Sequence, residues 1–413
     1  MRRTAAQDRT GTGPTDVRRH NRALVLRTIR EHVGASRAEL SRLTRLSDPA
    51  ILAIVNELID ARLIREDGME RSTGGRPARA LRIAEQSRYV LAVDLARHRT
   101  RVAITDLNAA ILYQTTVPTN DAIDARANLR WLERLMNGVL AAWDGPRAQL
   151  LGIGVGAPGP LRTTTGTILA PTNFGHWHNL PLRSALEECF GVPVRVDNDA
   201  NACALALQWF GLAAAARDFV YVAANSGVGA GIVIDGELYR GAYDLAGEIG
   251  HMTIDIAGPR CPCGNIGCLE LYTTLRATLA RWLGAPRPET LADEVNGIAA
   301  LIDAAHAGDE TALAALTMSA QYLAVGVINA INAYDPRIVW IGRELAAAGD
   351  LLLKPIREAV ARRAFVASGR SVTIERDPLG EDTPLLGAAC LVLSELFVNS
   401  DILNNLVTSG AVG

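Results

Sequence analysis

The chain has 413 residues, of which 49% are hydrophobic and 21% charged, and its formal net charge is -2. Single domains usually span about 100 to 200 residues, so this length predicts two or three compact units. The composition is ordinary for a folded protein and excludes extended disorder as the main state. No apolar run reaches the roughly 20 residues that span a bilayer, and the first residues lack the apolar core of a secretory signal. We therefore expect a cytoplasmic protein.

Charge is distributed unevenly along the chain. Residues 1–90 contain 18 arginines against 11 aspartates and glutamates, so the acidic excess lies in the remaining residues. A basic first fifth joined to an acidic remainder is typical of a nucleic-acid-binding module fused to a domain without that role. The alternative is chance scatter in an arginine-rich chain, in which Lys354 is the only lysine.

The first segments predict a short arm and two helices. Residues 1–17 are polar and rich in Gly, Thr and Arg, which predicts a flexible arm. Apolar residues then recur at helical spacing over residues 24–33 and predict an amphipathic helix that ends at Gly34. Ser36 and Glu39 form a capping box, in which each side chain satisfies an exposed backbone amide, so a short second helix follows.

A third helix is predicted from the Ser-Asp-Pro sequence at residues 47–49, because proline is favoured in a first helical turn. Its apolar positions over residues 51–59 form one stripe that packs on the first two helices. Three helices with a tight turn before the last predict a helix-turn-helix domain over residues 18–84, whose third helix enters the major groove of DNA. A head that contacts another protein is the alternative.

The third helix is followed by a predicted β-hairpin wing over residues 64–82, with a Gly-Gly-Arg-Pro turn at residues 74–77. An arginine on such an extension suits the narrow, negative minor groove of DNA. A solvated interdomain linker is the alternative. On the outward face of the third helix, only Asn56 can hydrogen-bond a base edge. The candidate DNA contacts are therefore Arg37, Asn56 and Arg76.

From residue 89 onward the apolar pattern is that of strands. The predicted order is three strands, a helix and a buried strand, over residues 90–93, 101–106, 111–117, 125–142 and 151–155. This order predicts an α/β lobe. The glycine-rich run at residues 152–161 lacks the Gly-Lys-Ser/Thr triplet of a phosphate loop and the spacing of a dinucleotide fingerprint, so alone it indicates a tight turn.

Polar side chains follow the next predicted strand, residues 194–196, in the sequence Asp-Asn-Asp-Ala-Asn. Ligands of α/β proteins bind at such carboxyl ends of strands. Asn198 can donate to and accept from sugar hydroxyls, and Asp199 can take a proton from one. The alternative is that Asp197 and Asp199 only cap the following helix.

A loop in the second unit contains three cysteines close to one histidine: His251, Cys261, Cys263 and Cys268. Three thiolates and an imidazole complete a tetrahedral ligand set, which predicts a structural zinc ion. Reduced free thiols are the alternative. The other cysteines stand alone in apolar segments. We expect the metal loop to hold the neighbouring carboxylates of Glu248 and Glu270 beside the sugar pocket.

Four segments of the chain resemble, in the same order, those of the ROK family of sugar kinases and repressors: GAPGPL, DNDAN, GEIGH and CPCGNIGCLE. The helix-turn-helix with the GGRP sequence behind it resembles the repressor branch. The resemblance implies an α/β fold in which a winged helix-turn-helix precedes a two-lobed, actin-like ATPase domain over residues 88–400. Lobe one is expected at about 88–200 plus a C-terminal helix at 385–397, lobe two at about 201–384, and a tail at 401–413.

The resemblance also implies roles for individual residues. Asp199 corresponds to the catalytic base, should kinase activity be retained. The positions that contact the sugar correspond to Asn198, Asp199, Glu248, His251 and Glu270. The zinc ligands correspond to His251 and the three clustered cysteines.

Two segments depart from the kinases of the family. Their phosphate loop reads Asp-x-Gly-Gly-Thr, whereas this chain has Asp-Leu-Ala-Arg-His at residues 94–98. The adenosine loop, normally a glycine pair, reads Ile-Gly-Arg-Glu at residues 341–344. Side chains at these positions obstruct the approach of the backbone to phosphates, and this argues against ATP and Mg²⁺ as cofactors.

The resulting hypothesis is a sugar-responsive, DNA-binding transcriptional regulator, a repressor, with a degenerate nucleotide site. It would bind operator DNA as a homodimer or higher homo-oligomer. The rival is an ATP-dependent sugar kinase with a regulatory N-terminal head. A third hypothesis is a sugar-binding protein that acts only through protein partners.

Overall fold

The structure of the protein is a computed structural model. It describes residues 14–69, 79–120, 124–172, 174–212, 216–284, 291–365, 371–398 and 401–410. In chain order these residues form an N-terminal head and two α/β lobes. The head consists of α1 (Pro14–Glu31), α2 (Arg37–Thr44), α3 (Asp48–Asp60), β1 (Ile64–Met69) and β2 (Arg79–Ile83).

The head has the predicted three helices and hairpin. The Ser36 side chain accepts a hydrogen bond from the Glu39 amide, and the Glu39 carboxylate accepts one from the Ser36 amide, so the capping box is confirmed. Strands β1 and β2 pair antiparallel, with Ile64 opposite Ile83. The turn predicted at residues 74–77 lies outside the described residues.

The prediction that a flexible arm extends to residue 17 is wrong. Residues 14–17 form the first turn of α1. Pro14 suits a first helical turn because its missing amide would have no partner there, and Asp16 faces the positive end of the helix dipole.

Lobe one is built on a five-stranded sheet of order β10-β6-β3-β4-β5. Strand β3 is buried along its whole length and pairs in parallel with β6 and antiparallel with β4. The elements of this lobe are β3 (Tyr89–Leu95), β4 (Arg99–Thr105), β5 (Ile111–Pro118), α4 (Ala125–Trp143), β6 (Leu150–Ala157), β7 (Leu161–Arg162), β8 (Thr167–Ile168), β9 (Leu180–Pro181), α5 (Leu182–Phe190) and β10 (Val194–Asn198).

Lobe two is built on a second sheet, of order β13-β12-β11-β14-β15. The helix Glu310–Tyr334 is long and apolar enough to cross a membrane, but 56% of its apolar stretch is buried inside the structure. The bent pair of helices Gly380–Val398 and Ile402–Thr408 passes the same test of length and composition. The elements after β10 are α6 (Asp199–Trp209), β11 (Phe219–Ala224), β12 (Val228–Ile234), β13 (Glu237–Leu238), α7 (Glu270–Thr273), α8 (Leu275–Leu283), α9 (Leu291–His306), α10 (Glu310–Tyr334), β14 (Ile338–Gly342), α11 (Asp350–Arg363), β15 (Thr373–Arg376), α12 (Thr383–Val398) and α13 (Asp401–Gly410).

Helix α12 returns to lobe one and packs across β3, β6 and β10. The approach is so close that a Cβ atom at Gly154 would lie 1.8 Å from the carbonyl oxygen of Ala388, so only glycine fits there. The other face of α12 packs along α6, which lies between the two lobes.

The segment predicted as a tail from residue 401 is helix α13, and this prediction is corrected. Ile402, Leu403 and Val407 are buried in the same apolar cluster as the core of the head. Helix α13 contacts α3, and Arg22 of α1 donates a hydrogen bond to Asn404 at 3.1 Å. The apolar spacing of these residues is that of an amphipathic helix, so the signal was present in the sequence.

Candidate functional site

The five residues predicted to contact a sugar lie together around one cavity between the lobes. Its volume is about 50 Å³, and its walls come from the ends of β3 and β6, the start of α6, the turn between β11 and β12, and the metal loop. The predicted residues that line it are Asn198, Asp199, Glu248, His251 and Glu270.

Asn198 caps α6 and also faces this cavity. Its side-chain oxygen accepts a hydrogen bond from the amide of Ala200 at 2.8 Å. A Cβ atom at Gly159 would lie 2.9 Å from both the Asn198 amide nitrogen and a Glu248 carboxylate oxygen, so these groups converge over the glycine. Asn198 is the N-cap of α6, and the Asp199 carboxylate also accepts a hydrogen bond from the Ala200 amide at 2.9 Å, so the predicted alternative role as a helix cap holds in part.

Burial dominates the electrostatics of the pocket. It raises the pKa of Asp199, against the nearby guanidinium groups of Arg343 and Arg97. Burial also raises the pKa of Glu248 to about 7, together with the charges of Asp199 and Glu270, and Arg97 opposes this rise. A carboxyl group such as that of Glu248 can accept a hydrogen bond from a hydroxyl group when ionised and donate one when protonated.

Sequence reasoning treated Arg97 only as an obstacle to phosphate and missed its place in this pocket. Its guanidinium donates a hydrogen bond to the Ser226 carbonyl at 2.8 Å, and its Nε is buried without a partner among the described residues. A water molecule needs about 10 to 15 Å³ of such space, so the cavity of about 50 Å³ holds a few waters. Arg97 thus narrows the cavity that the predicted sugar-contact residues surround.

The other end of the cleft holds an ion cluster that joins the two lobes, beside a cavity of about 160 Å³. We call the following five side chains the interlobe ion cluster: Asp94, His98, Arg99, Arg343 and Glu344. Arg343 lies 3.4 Å from the carboxylate of Asp94, and both side chains are almost completely buried. His98 and Arg99 each lie 3.4 Å from a carboxylate oxygen of Glu344.

The charges of this cluster balance one another. Burial would lower the pKa of Arg343, but the carboxylates of Asp94 and Glu344 hold it above its usual value. Burial would raise the pKa of Glu344, but Arg343 above all holds it below its usual value. Burial lowers the pKa of His98, against the nearby carboxylate of Glu344. Side chains of lobe one thus contact the loop at residues 341–344, where the family resemblance expects adenosine.

The three clustered cysteines and His251 have the geometry of a metal site. Their ligand atoms all lie within 4.8 Å of one another. Cys261 Sγ lies 3.7 Å from His251 Nδ1, and Cys263 Sγ lies 3.7 Å from Cys268 Sγ. Thiolates about 2.3 Å from a tetrahedral zinc ion are about 3.8 Å apart, so the donor set fits zinc.

The remaining cysteines differ from the prediction in one case. Cys203 and Cys390 are buried, as expected, but Cys189 is exposed at the end of α5. The apolar residues around Cys189 in the sequence lie on the buried face of that helix, and the thiol lies on the other face.

The predicted DNA contacts have different environments. Asn56 is exposed on α3, next to Leu52, whose side chain is 51% exposed. Arg37 begins α2 and forms an ion pair with Glu66 at 2.7 Å, which ties α2 to the hairpin. Arg76 lies outside the described residues. The outward surface of α3 therefore offers one amide and apolar groups, as the sequence indicated.

The comparisons with known proteins agree with this architecture. A profile of the ROK family matches residues 90–395. The xylose repressor of Caldicellulosiruptor bescii is 32% identical over 389 residues, which cover 91% of this chain and 96% of that protein. A solved ROK family transcriptional regulator, a homologue of the E. coli Mlc protein, superposes with a TM-score of 0.78 at 27% identity and covers 95% of this chain and 100% of its own.

The lobes without the head are similar to an enzyme. A ROK family glucokinase from Streptomyces griseus, solved with glucose and AMPPNP, superposes with a TM-score of 0.64 at 27% identity and covers 73% of this chain and 98% of its own. The predicted order, a winged helix-turn-helix followed by a two-lobed sugar-kinase fold, is confirmed. Its sequence and its fold together show that the chain belongs to the ROK family.

Proposed function

We propose that the chain is a transcriptional repressor that binds operator DNA through its head and responds to a sugar bound between its lobes. The observation that carries the proposal is the coexistence of a DNA-binding head with a cleft that brings all five sugar-contact positions together. Similarity over the whole chain to the xylose repressor of Caldicellulosiruptor bescii supports it. The same proposal places the protein in the cytoplasm, with its operator.

In this proposal Asn198, Asp199, Glu248 and Glu270 hold the sugar through hydrogen bonds to its hydroxyls. Their carboxylates and amide match a ligand that presents only hydroxyl groups, each able to donate and accept. His251 forms part of the pocket wall and of the metal set at once. A change in the metal loop would therefore also change the sugar pocket.

We infer that the metal is zinc, held by His251 Nδ1 and the three thiolates. When bound, the ion would supply a closed, rigid cross-link and no open coordination position. The chain itself shapes the loop: a Cβ atom at Gly267 would lie 1.7 Å from the Asp255 carbonyl oxygen, and its φ is +63°. Glu270 follows the last cysteine by two residues, so the loop fixes its position in the cleft.

The nucleotide site is, in this proposal, degenerate. Phosphoryl transfer depends on positioned phosphates and Mg²⁺. Arg97 and His98 stand in the segment that corresponds to the phosphate loop, and Arg343 and Glu344 in the segment that corresponds to the adenosine loop. The second candidate function is a sugar kinase, which the buried Asp199, in the position of a catalytic base, favours. An assay of ADP release with D-glucose and D-xylose separates the two: turnover that Asp199→Asn abolishes would establish the kinase.

Operator binding is proposed to involve a homodimer, with Asn56, Arg76 and Arg37 as the DNA contacts. The test is a titration of the operator with the full-length protein, with and without D-xylose, D-glucose or N-acetyl-D-glucosamine. We expect one sugar to weaken operator binding by about 5- to 150-fold, the usual range of coupling between two sites. Operator affinity that no sugar in the panel changes contradicts the proposal.

A further inference from the structure

Helix α6 joins the sugar pocket to the DNA-binding head. Asn198 caps its first turn, and Asp199 is its first residue, so its N-terminus forms one wall of the pocket. Its 11 residues end at Trp209. At about 1.5 Å per residue the helix carries this wall about 16 Å across the molecule.

Arg30 of the head contacts the other end of this helix. Its guanidinium carbon lies 3.3 Å from the centroid of the Trp209 ring and 5.5 Å from that of Phe397 on α12. The same guanidinium donates a hydrogen bond to the Trp209 carbonyl oxygen. A cation at a helix C-terminus complements the negative end of the helix dipole, and stacking on indole adds a directional contact. Arg30 therefore contacts both the ring and the backbone carbonyl of Trp209, the last residue of α6.

The N-terminal half of helix α6 is tightly packed against α12 and β12. A Cβ atom at Gly387 of α12 would lie 2.2 Å from the Ala202 carbonyl oxygen. A Cβ atom at Gly231 of β12 would lie 2.4 Å from the Ala200 carbonyl oxygen. These two contacts of backbone against backbone hold the first half of α6, whereas Leu205, Gln208 and Trp209 line a cavity of about 700 Å³. A displacement of the packed half is therefore carried along the hydrogen-bonded helix towards the end that has room to move.

We propose that the contact of Arg30 with Trp209 couples the sugar pocket to the DNA-binding head. This inference rests on the proposed function and names the residue that carries its response. Sugar bound at the N-terminus of α6 shifts the helix, and the shift at Trp209 turns α1, the first helix of the head, through Arg30. Because coupling between two binding sites is reciprocal, operator DNA changes sugar affinity through the same contact.

The test measures coupling separately from either binding event. The variants are Arg30→Gln, which removes the cation, and Arg30→Lys, which keeps it. The matched control is Arg27→Gln, one turn earlier on α1, where the exposed arginine has Glu31 at 4.0 Å as its ion partner. Operator affinity is measured by fluorescence anisotropy with and without the sugar from the panel that shifts the wild type, and sugar affinity by calorimetry.

For Arg30→Gln we expect the change in operator affinity on adding sugar to fall below about twofold, from the 5- to 150-fold expected of the wild type. Sugar affinity in the absence of DNA stays within about twofold, because the pocket is about 16 Å away. Arg30→Lys retains part of the response, and the Arg27 control retains all of it.

Any one of the following outcomes overturns the inference. A sugar response of normal size in Arg30→Gln shows that another contact carries the coupling. An equal loss in the Arg27 control shows a general effect of charge on the head. A wild type that binds the operator but responds to no sugar contradicts the proposed function itself. Should Arg30→Gln fail to bind the operator at all, Trp209→Leu decides: it removes the ring but leaves the carbonyl, and a full response in it also rejects the inference.

Discussion

The two ends of the interlobe cleft differ in how their charges are balanced. At the nucleotide end, Asp94 and Glu344 face Arg343 and Arg99, so carboxylates and guanidinium groups alternate. At the sugar end, burial raises the pKa of Asp199 and of Glu248, and the guanidinium groups of Arg97 and, for Asp199, Arg343 do not cancel this rise. The nucleotide end is therefore complete within the chain, whereas the sugar end has hydrogen-bonding capacity left for a ligand.

Under the proposed function, this difference accounts for a sugar-kinase fold that acts as a sensor. Replacing small loop residues by Arg343 and Glu344 puts fixed charges where a bound nucleotide would bring its own. The ion cluster then bridges lobe one and lobe two in the absence of any nucleotide.

The largest effect is expected from a substitution that disrupts the sugar end through its metal loop. Cys268→Ser removes one of four zinc ligands, and structural zinc sites contribute on the order of 10 kcal/mol to folding. We expect loss of bound zinc by elemental analysis and a fall in sugar affinity of more than about 100-fold by calorimetry, because Glu270 loses its support. The control is Cys189→Ser, which changes an exposed thiol. Unchanged sugar affinity in a zinc-free protein would show that the loop does not shape the pocket.

An intermediate effect is expected from breaking the nucleotide end. Arg343→Gln leaves Asp94 and Glu344 buried without their main counter-charge, and removing one partner of a buried pair costs about 3 to 5 kcal/mol. We expect a lower free energy of unfolding in urea, with sugar affinity much less affected. Arg99→Gln is the matched control, because Arg99 contacts the same Glu344 from a more exposed position. Equal losses of unfolding free energy in both variants would show that the buried pair of Arg343 and Asp94 stabilises the protein no more than the contact of Arg99 with Glu344.

The smallest expected effect is a change of sugar affinity with pH, which tests the ionisation of Glu248 at the sugar end. With a pKa of about 7, Glu248 is mostly protonated at pH 6 and mostly ionised at pH 8. Ionised carboxylates accept stronger hydrogen bonds from hydroxyls, so sugar affinity should increase by up to about tenfold from pH 6 to pH 8. Calorimetry over this range measures it, and Glu248→Gln should flatten the profile. A profile of the same slope in Glu248→Gln would assign the titration to another group.

Much of the secondary structure and the metal set could be predicted from the sequence, because the patterns that specify them span only a few residues. The capping box of Ser36 and Glu39, the proline at residue 49 and the alternating strands each specify structure within a few residues. The metal set could be predicted because four ligands of one type of site lie within eighteen residues. The helix α13 was missed although its apolar spacing was visible, because a short amphipathic segment after a predicted last helix was assigned as a tail.

The contacts that distinguish the two ends of the interlobe cleft could not be predicted from the sequence. Arg343 and Asp94 are 249 positions apart in the chain, and Arg30 and Trp209 are 179 apart. No periodicity or spacing relates such residues, since only the packing of the two lobes and the head brings them together. Arg97 was identified as an unusual residue, but whether it blocks phosphate or enters the pocket depends on the turn that carries it.

The packing of α13 on α3 bears on how the protein can be dissected. Both ends of the polypeptide contribute to one apolar cluster, which runs from Leu26 and Val55 through Leu393 to Leu403. A fragment cut after the hairpin would expose the side of the recognition helix that α13 covers, and would lose apolar burial that the head needs. Chimaeras that exchange heads between relatives should therefore graft the C-terminal helix together with the N-terminal domain.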